Sequence, residues 1–305
     1  MTAVATVAKW FPDKKGFATG LVVMGFGLGA LIMSKLIAPQ LMAFTNNNIP
    51  TTFTYIGAIM FLSLICGAFI ANPPAGYKPA GYVPHASAGA MDQAQASLTA
   101  GQCIKSSKFM LMWFVFFINI TAGIMFIGFQ SPMLQDLLKK ISPEMDVAKL
   151  AAYGATLIAI SSLFNGVGRF LWGGISDRLG RVQTFRVILA SQILVFVALR
   201  FVGNPWIFGI MVCYILLCYG GGFGTMPSFV LDIFGAKLMP VVYGAVLTAW
   251  STAGVVGPQI AAYIKDSHPE TAGPITFTVG AVILAIGFLV SFAINNKHFY
   301  TDSKK

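Results

Sequence analysis

Gly173-Gly174-Ile175-Ser176-Asp177-Arg178-Leu179-Gly180-Arg181 is the stretch from which the rest of the chain is best read. It places one carboxylate and two guanidinium groups between apolar runs at 150–173 and 183–202. Each run has the roughly 20 mostly apolar residues that a helix needs to cross the hydrocarbon core of a bilayer. The charged stretch therefore reads as a loop between two membrane-spanning helices. Asp177 is suited to pair with a helix terminus or a basic neighbour, and Arg178 and Arg181 to pair across to other helices. Gly173 and Gly180 allow a tight turn. A charge cluster of this kind can hold one conformation and be broken in another. The alternative is an ordinary basic loop.

Working outward, the same apolar pattern recurs along all 305 residues. Hydrophobic residues make up 56% and charged residues 10%, against about 25% charged in an ordinary soluble domain. Mean hydropathy is +0.76. A soluble particle of this size does not carry 26 Phe and 14 Met on so few charges, so the hydrocarbon faces lipid. Eight spans follow, at 16–39, 52–71, 109–132, 150–173, 183–202, 205–229, 242–264 and 273–294. The fold class is all-α, a polytopic membrane helix bundle. Between the spans lie turn signals such as Asn72-Pro73-Pro74, Ser142-Pro143, Gly203-Asn204-Pro205 and Ser267-His268-Pro269.

The net charge of +10 raises the possibility of a nucleic-acid partner. Its distribution argues against one, because the basic residues fall between apolar stretches and form no single patch. With residues 1–15 inside, the inner segments hold Lys9, Lys14, Lys15, Lys78, Lys105, Lys108, Arg178, Arg181, Arg186, Lys237, Lys297, Lys304 and Lys305. The outer segments hold only Lys139, Lys140, Lys149, Arg200 and Lys265. That bias puts both termini in the cytoplasm. Residues 73–108, rich in Pro, Gly, Ala, Ser and Gln, form a cytoplasmic central linker that separates two spans (1–72) from six (109–296), with 297–305 as a cytoplasmic tail.

Catalytic chemistry finds no support. Cys66, Cys213 and Cys218 sit in apolar runs and Cys103 in the linker, without a CxxC pair or a His/Cys ligand spacing. His85, His268 and His298 lie in polar segments where nothing completes a ligand set. No metal, no cofactor and no enzyme activity is expected, and the N-terminus lacks the pattern of a signal peptide.

The opening stretch fits G-x-x-x-D-R-x-G-R, which resembles the cytoplasmic loop signature of the major facilitator superfamily. Further strings are similar to those of its oxalate/formate antiporter family. Lys9-Trp10-Phe11-Pro12-Asp13-Lys14-Lys15-Gly16 resembles that family's loop between helices four and five. Asn72-Pro73-Pro74-Ala75-Gly76-Tyr77-Lys78-Pro79-Ala80-Gly81-Tyr82 resembles the start of its central loop. Gly220-Gly221-Gly222-Phe223-Gly224-Thr225-Met226-Pro227 and the segment from Tyr243-Gly244 through Thr248-Ala249-Trp250-Ser251 resemble its tenth and eleventh helices. The resemblance implies a major facilitator fold in which the eight spans correspond to helices five to twelve. The C-terminal six-helix half is then complete, and helices one to three and most of four are missing. A missing N-terminal half becomes an expected partner, since the substrate site of such transporters lies between the halves. A transport-incompetent membrane fragment is the competing reading.

Two intramembrane charges stand out. Arg169 lies eight residues before Asp177, roughly 12 Å of helical rise from the inner surface. A guanidinium at that depth is offset well by a carboxylate held bidentately. The other reading is snorkelling to the inner interface, assisted by Asn165. The position matches the resembling family's substrate-binding arginine on helix eight. Lys35, like Arg200, lies near the outer end of its span and reads as snorkelling to the outer headgroups.

The resembling family's oxalate transporters carry a lysine on helix eleven where this chain has Trp250. With one positive charge gone, a dianion is only half neutralised, which moves the expected substrate from oxalate toward a monocarboxylate such as formate, lactate or pyruvate. Tyr219 and Phe223 share a helix face at i, i+4 and match the family's aromatic cavity lining, though packing alone also explains them. Asn119, Gln130 and Gln192 line a polar path or bond neighbouring helices. Gly16, Gly20, Gly25 and Gly29 read as close-packing positions. The ten acids lie in loops or at helix ends. That placement favours anion exchange or substrate-borne proton movement over a carboxylate proton relay. The expected function is secondary transport of small organic anions across the plasma (inner) membrane, with the lipid bilayer as surroundings.

Overall fold

A computed structural model describes residues 2–69, 72–74, 77 and 99–294, all of it helices and their connections. Among the described residues there is no strand. The first third consists of α1 (Thr2–Trp10), α2 (Lys15–Ile32), a π-helical turn (Met33–Ile37), α3 (Ala38–Phe44) and α4 (Ile49–Ala68). A short α5 (Ala100–Ile104) precedes α6 (Ser107–Ile127), α7 (Gln130–Ile141), α8 (Val147–Leu179) and α9 (Arg181–Leu199). The chain continues through α10 (Pro205–Phe234), α11 (Met239–Val246), α12 (Thr248–Ser267) and α13 (Ala272–Ser291). Among the described residues seven helical stretches are long and apolar enough to cross a membrane, and the shorter apolar run Lys15–Gly29 belongs to α2. The expected polytopic helix bundle is the observed one.

Local sequence sets the helix starts. Asn46 and Asn47 take positive φ angles of 52° and 60° in the turn after α3, a conformation that asparagine tolerates better than most residues. The Asn48 side chain then accepts a hydrogen bond from the Thr51 amide, with Pro50 in the first turn of α4. Asn204 does the same for α10, accepting from the Trp206 and Ile207 amides.

Several expectations change. The stretch Gly173–Arg181 is not a loop: α8 runs on to Leu179 and α9 starts at Arg181, leaving Gly180 (φ +85°) as the whole connection. At 33 residues, α8 is roughly 50 Å long. Its charged last turns thus stay helical beyond the hydrocarbon core instead of unwinding at its edge. The expected span 109–132 ends at Ile127, and the chain turns into a separate helix, α7. The expected span 242–264 is built from α11 and α12, broken at Leu247.

Helix α8 is the central element. It packs most extensively on α10 and α2, while α9 packs on α13 and α6 on α12 and α13. Large buried side chains such as Phe116, Phe126, Phe196 and Phe229 fill the six-helix part. Of the linker 73–108, only 73–74, 77 and 99–108 are described, so most of it and most of the Asn72–Tyr82 string lie outside the described residues. The tail 297–305, His85, His298 and the Lys35 side chain lie outside them as well.

Candidate functional site

Glycines let α8 sit against backbone on both sides. A methyl group on Gly20 of α2 would come within 2.6 Å of the Arg169 carbonyl oxygen, and one on Gly27 within 2.9 Å of the Gly166 Cα. Gly16 and Gly173 meet in the same way, and on the other side Gly220 and Gly224 of α10 lie against the carbonyls of Asn165 and Arg169. A methyl group on Gly25 or Gly29, by contrast, would meet nothing within 4 Å, so these two are not the packing positions expected of them. Their rotation explains this. At about 100° per residue, Gly27 lies about 20° from Gly20 around the helix, but Gly25 lies about 140° away and Gly29 about 180°.

Arg169 emerges where these three helices meet and is only 4% exposed. Its Nη1 donates to the Val23 carbonyl of α2 (3.3 Å) and its Nε lies 3.4 Å from Asn165 Oδ1. The guanidinium carbon sits 4.7 Å from the centre of the Phe223 ring, a cation–π arrangement that gains strength when desolvated. Phe223 in turn packs edge-on against Trp250 (5.6 Å, 90°) and Tyr219 (5.3 Å, 64°). A hydrogen bond joins the Trp250 and Tyr219 side chains, and the indole N–H must be its donor. Arg169, Phe223, Tyr219 and Trp250 are thus brought into one group. Tyr243 of α11, buried and close enough to interact electrostatically with Arg169, joins them. The Arg169 Nη1 and Nε reach the Val23 carbonyl of α2 and Asn165 on its own helix, within the bundle.

A second cluster forms at the α8–α9 junction. Asp177 accepts hydrogen bonds from the backbone amides of Gly16 and Phe17, both at 2.9 Å. Those amides belong to the first turn of α2, where donors lack helical partners and the helix dipole favours a negative charge. Arg181 bridges Asp177 (2.8 Å) and Asp232 of α10 (2.9 Å), and Lys15 of α2 approaches Asp232 at 3.5 Å. The Arg181 and Asp177 side chains are 10% and 19% exposed, well short of the full exposure at which ion pairs contribute little. Nearby, the buried hydroxyls of Thr19 and Ser228 join α2 to α10 at 2.9 Å. Arg178 points to solvent, and among the described residues no ion pair holds it.

The amides have their own partners. Gln192 donates to Asn119 (2.8 Å), whose amide reaches the Cys218 carbonyl, and Gln130 accepts from Ser161 at 2.7 Å. They tie helices together. Sequence reasoning missed Asp232, Lys15 and the Thr19–Ser228 pair. An acid at the end of a span on the Asp177 side was the available signal for Asp232; nothing in the sequence marked the other two.

Comparison with known proteins places this geometry. A profile described as Major Facilitator Superfamily matches residues 1–258. The chain belongs to the Major Facilitator Superfamily. It is 28% identical over 299 residues to an oxalate:formate antiporter of Oxalobacter formigenes, covering 96% of this chain and 64% of that protein. It is 25% identical over 318 residues to apicoplast pyruvate carrier 1 of Toxoplasma gondii, covering 87% and 55%. An uncharacterised MFS-type transporter of Escherichia coli, YhjX, is 25% identical over 249 residues, covering 81% and 56%. The chain thus spans between about half and two thirds of the length of these relatives.

Proposed function

We propose that this chain carries out secondary transport of small organic monocarboxylates by alternating access, with Arg169 as the anion anchor. The supporting observation is a guanidinium buried mid-helix between α2, α8 and α10, stacked on Phe223 beside Trp250 and Tyr219. Such a group binds a carboxylate bidentately, and Tyr219 adds a hydroxyl donor. The aromatic wall receives the apolar end of formate-, lactate- or pyruvate-sized anions. The relatives named for oxalate and formate and for pyruvate support this chemical class.

In this reading the Asp177–Arg181–Asp232 cluster is the conformational latch. Gly173 and Gly180 serve it as close-packing and turning residues, and Arg178 stands at its exposed edge. Exchange of one anion for another is the preferred mode. Both termini lie in the cytoplasm, as the basic-residue bias suggests, and the membrane proposed is the plasma (inner) membrane. Residues 1–72 belong to one transport half and 109–296 to the other.

Uptake of labelled formate, lactate, pyruvate and oxalate into proteoliposomes tests the proposal. Arg169→Ala should abolish uptake of each transported anion, and uptake independent of Arg169 would overturn the assignment. Trp250→Lys adds back a charge beside Phe223 and should shift the preference toward dicarboxylates by about tenfold. An unchanged preference would remove Trp250 from the site.

A further inference from the structure

The bundle end opposite Asp177 carries a cavity, separate from the Arg169 group. It has a volume of about 490 Å³ and lies between α7, the end of α9, α10, the end of α12 and the start of α13, within the size range of small-molecule sites. Its floor is core: Phe208 is 1% exposed and Phe277 7%. Its rim carries Lys140, Arg200 and Lys265 facing Asp136 and Glu270.

Three features point to an anion. The first is convergence. Among the described residues, the helix ends and turns on this side carry Lys139, Lys140, Lys149, Arg200 and Lys265, and three of these five line one cavity. The second is charge balance, since three cations against two carboxylates leave one positive charge, which a monoanion neutralises. The third is that among the described residues no ion pair within 4.0 Å joins any of the five rim groups. Among the described residues Lys265 Nζ lies 6.0 Å from the centre of the Phe129 ring. Neighbouring opposite charges that stay apart leave their hydrogen-bonding capacity to water or to a ligand.

The roof is built and not accidental. Helix α7 is fixed over the cavity by the buried Gln130–Ser161 hydrogen bond and by the close approach of Ser131 to Gly154 of α8.

We infer that this cavity is a second anion-binding site, taking an amphipathic anion with its negative group among Lys140, Arg200 and Lys265 and its apolar part on Phe208 and Phe277. A free small carboxylate and the headgroup of an anionic phospholipid share this chemistry. The site stands apart from Arg169 and does not need Arg169 to be the transport anchor.

Binding of radiolabelled lactate to the purified chain in phosphatidylcholine nanodiscs tests the site, with Arg169→Ala as the background that removes the first group. Saturable binding should persist in that background, and adding Arg200→Gln and Lys265→Gln should weaken it by about tenfold. This result identifies the free carboxylate. In discs containing phosphatidylglycerol, retention of that lipid through detergent exchange, lost in the Arg200→Gln/Lys265→Gln chain, identifies the headgroup. Lactate binding and lipid retention that both ignore these substitutions overturn the site. The substituted side chains are exposed, so the variants are expected to fold; Lys140→Gln, giving a smaller loss of the same kind, serves as the second variant. Arg169-dependent uptake in the parent chain is measured separately, so failure of one assignment leaves the other standing.

Discussion

The two ends of the α2–α8 pair are built differently. At the Asp177 end, backbone meets backbone at Gly16, Gly20 and Gly173, and a carboxylate from α8 caps the first turn of α2. Toward the other end, Ile32 and Leu36 on one side and Tyr153, Ile158 and Ile160 on the other are exposed. There the π-helical turn and α3 pack mainly on one another and on α2 and α4. One end is closely packed and the other is not, with Arg169 and the Gly27–Gly166 contact between them. Closure rests on short-range contacts of two kinds: backbone fit, which needs the absence of a side chain, and capping, which needs a charge.

The largest effect should come from breaking the fit. Gly20→Val drives a branched side chain into the Arg169 carbonyl, and overpacking of this kind costs about 3 kcal/mol. Gly25→Val, on the open side of the same helix, should change stability by less than about 0.5 kcal/mol. Thermal unfolding of the purified variants distinguishes them, and equal losses would remove the contrast between the two faces.

Next comes the capping charge. Asp177→Asn keeps the shape but loses charge-assisted bonds to Gly16, Phe17 and Arg181, which contribute about 2 kcal/mol to closure. Spin labels at the exposed positions 14 and 178 should then report a longer and broader distance distribution. An unchanged distribution would show that the glycine fit alone keeps this end shut. The smallest effect belongs to the hydroxyl bridge: replacing both partners, Thr19→Val with Ser228→Ala, should cost about 1 kcal/mol or less. Thr19→Val alone strands the Ser228 hydroxyl in a buried place and should cost more than the pair.

Span positions were legible in the sequence because a bilayer imposes a length and a polarity on every crossing segment. So was Arg169, since a charge amid apolar residues is conspicuous on any helix. The Gly173–Arg181 stretch was legible as a cluster and misread as a loop. Polarity signals where a helix leaves the membrane, whereas only the backbone conformation of Gly180 signals where it stops. Among the glycines, composition identified the packing helix, but the packing face depended on its rotation, which its neighbours set. Lys15 and Asp232 are ordinary charges at helix ends until α2 and α10 are placed side by side. Lys15 and Arg181 meet at the Asp232 carboxylate only in the tertiary structure, Arg181 and Asp232 being 51 residues apart in sequence.

The Gly180 turn has a mechanical consequence. A one-residue link offers no slack, so α8 and α9 cannot slide past one another at that end, and Arg181 bonds back across it to Asp177 and sideways to Asp232. Any tilt of α8 that carries the Arg169 guanidinium toward or away from α2 must be delivered to α9 and, through Asp232, to α10. A longer, looser linker at this place would absorb the motion instead of passing it on.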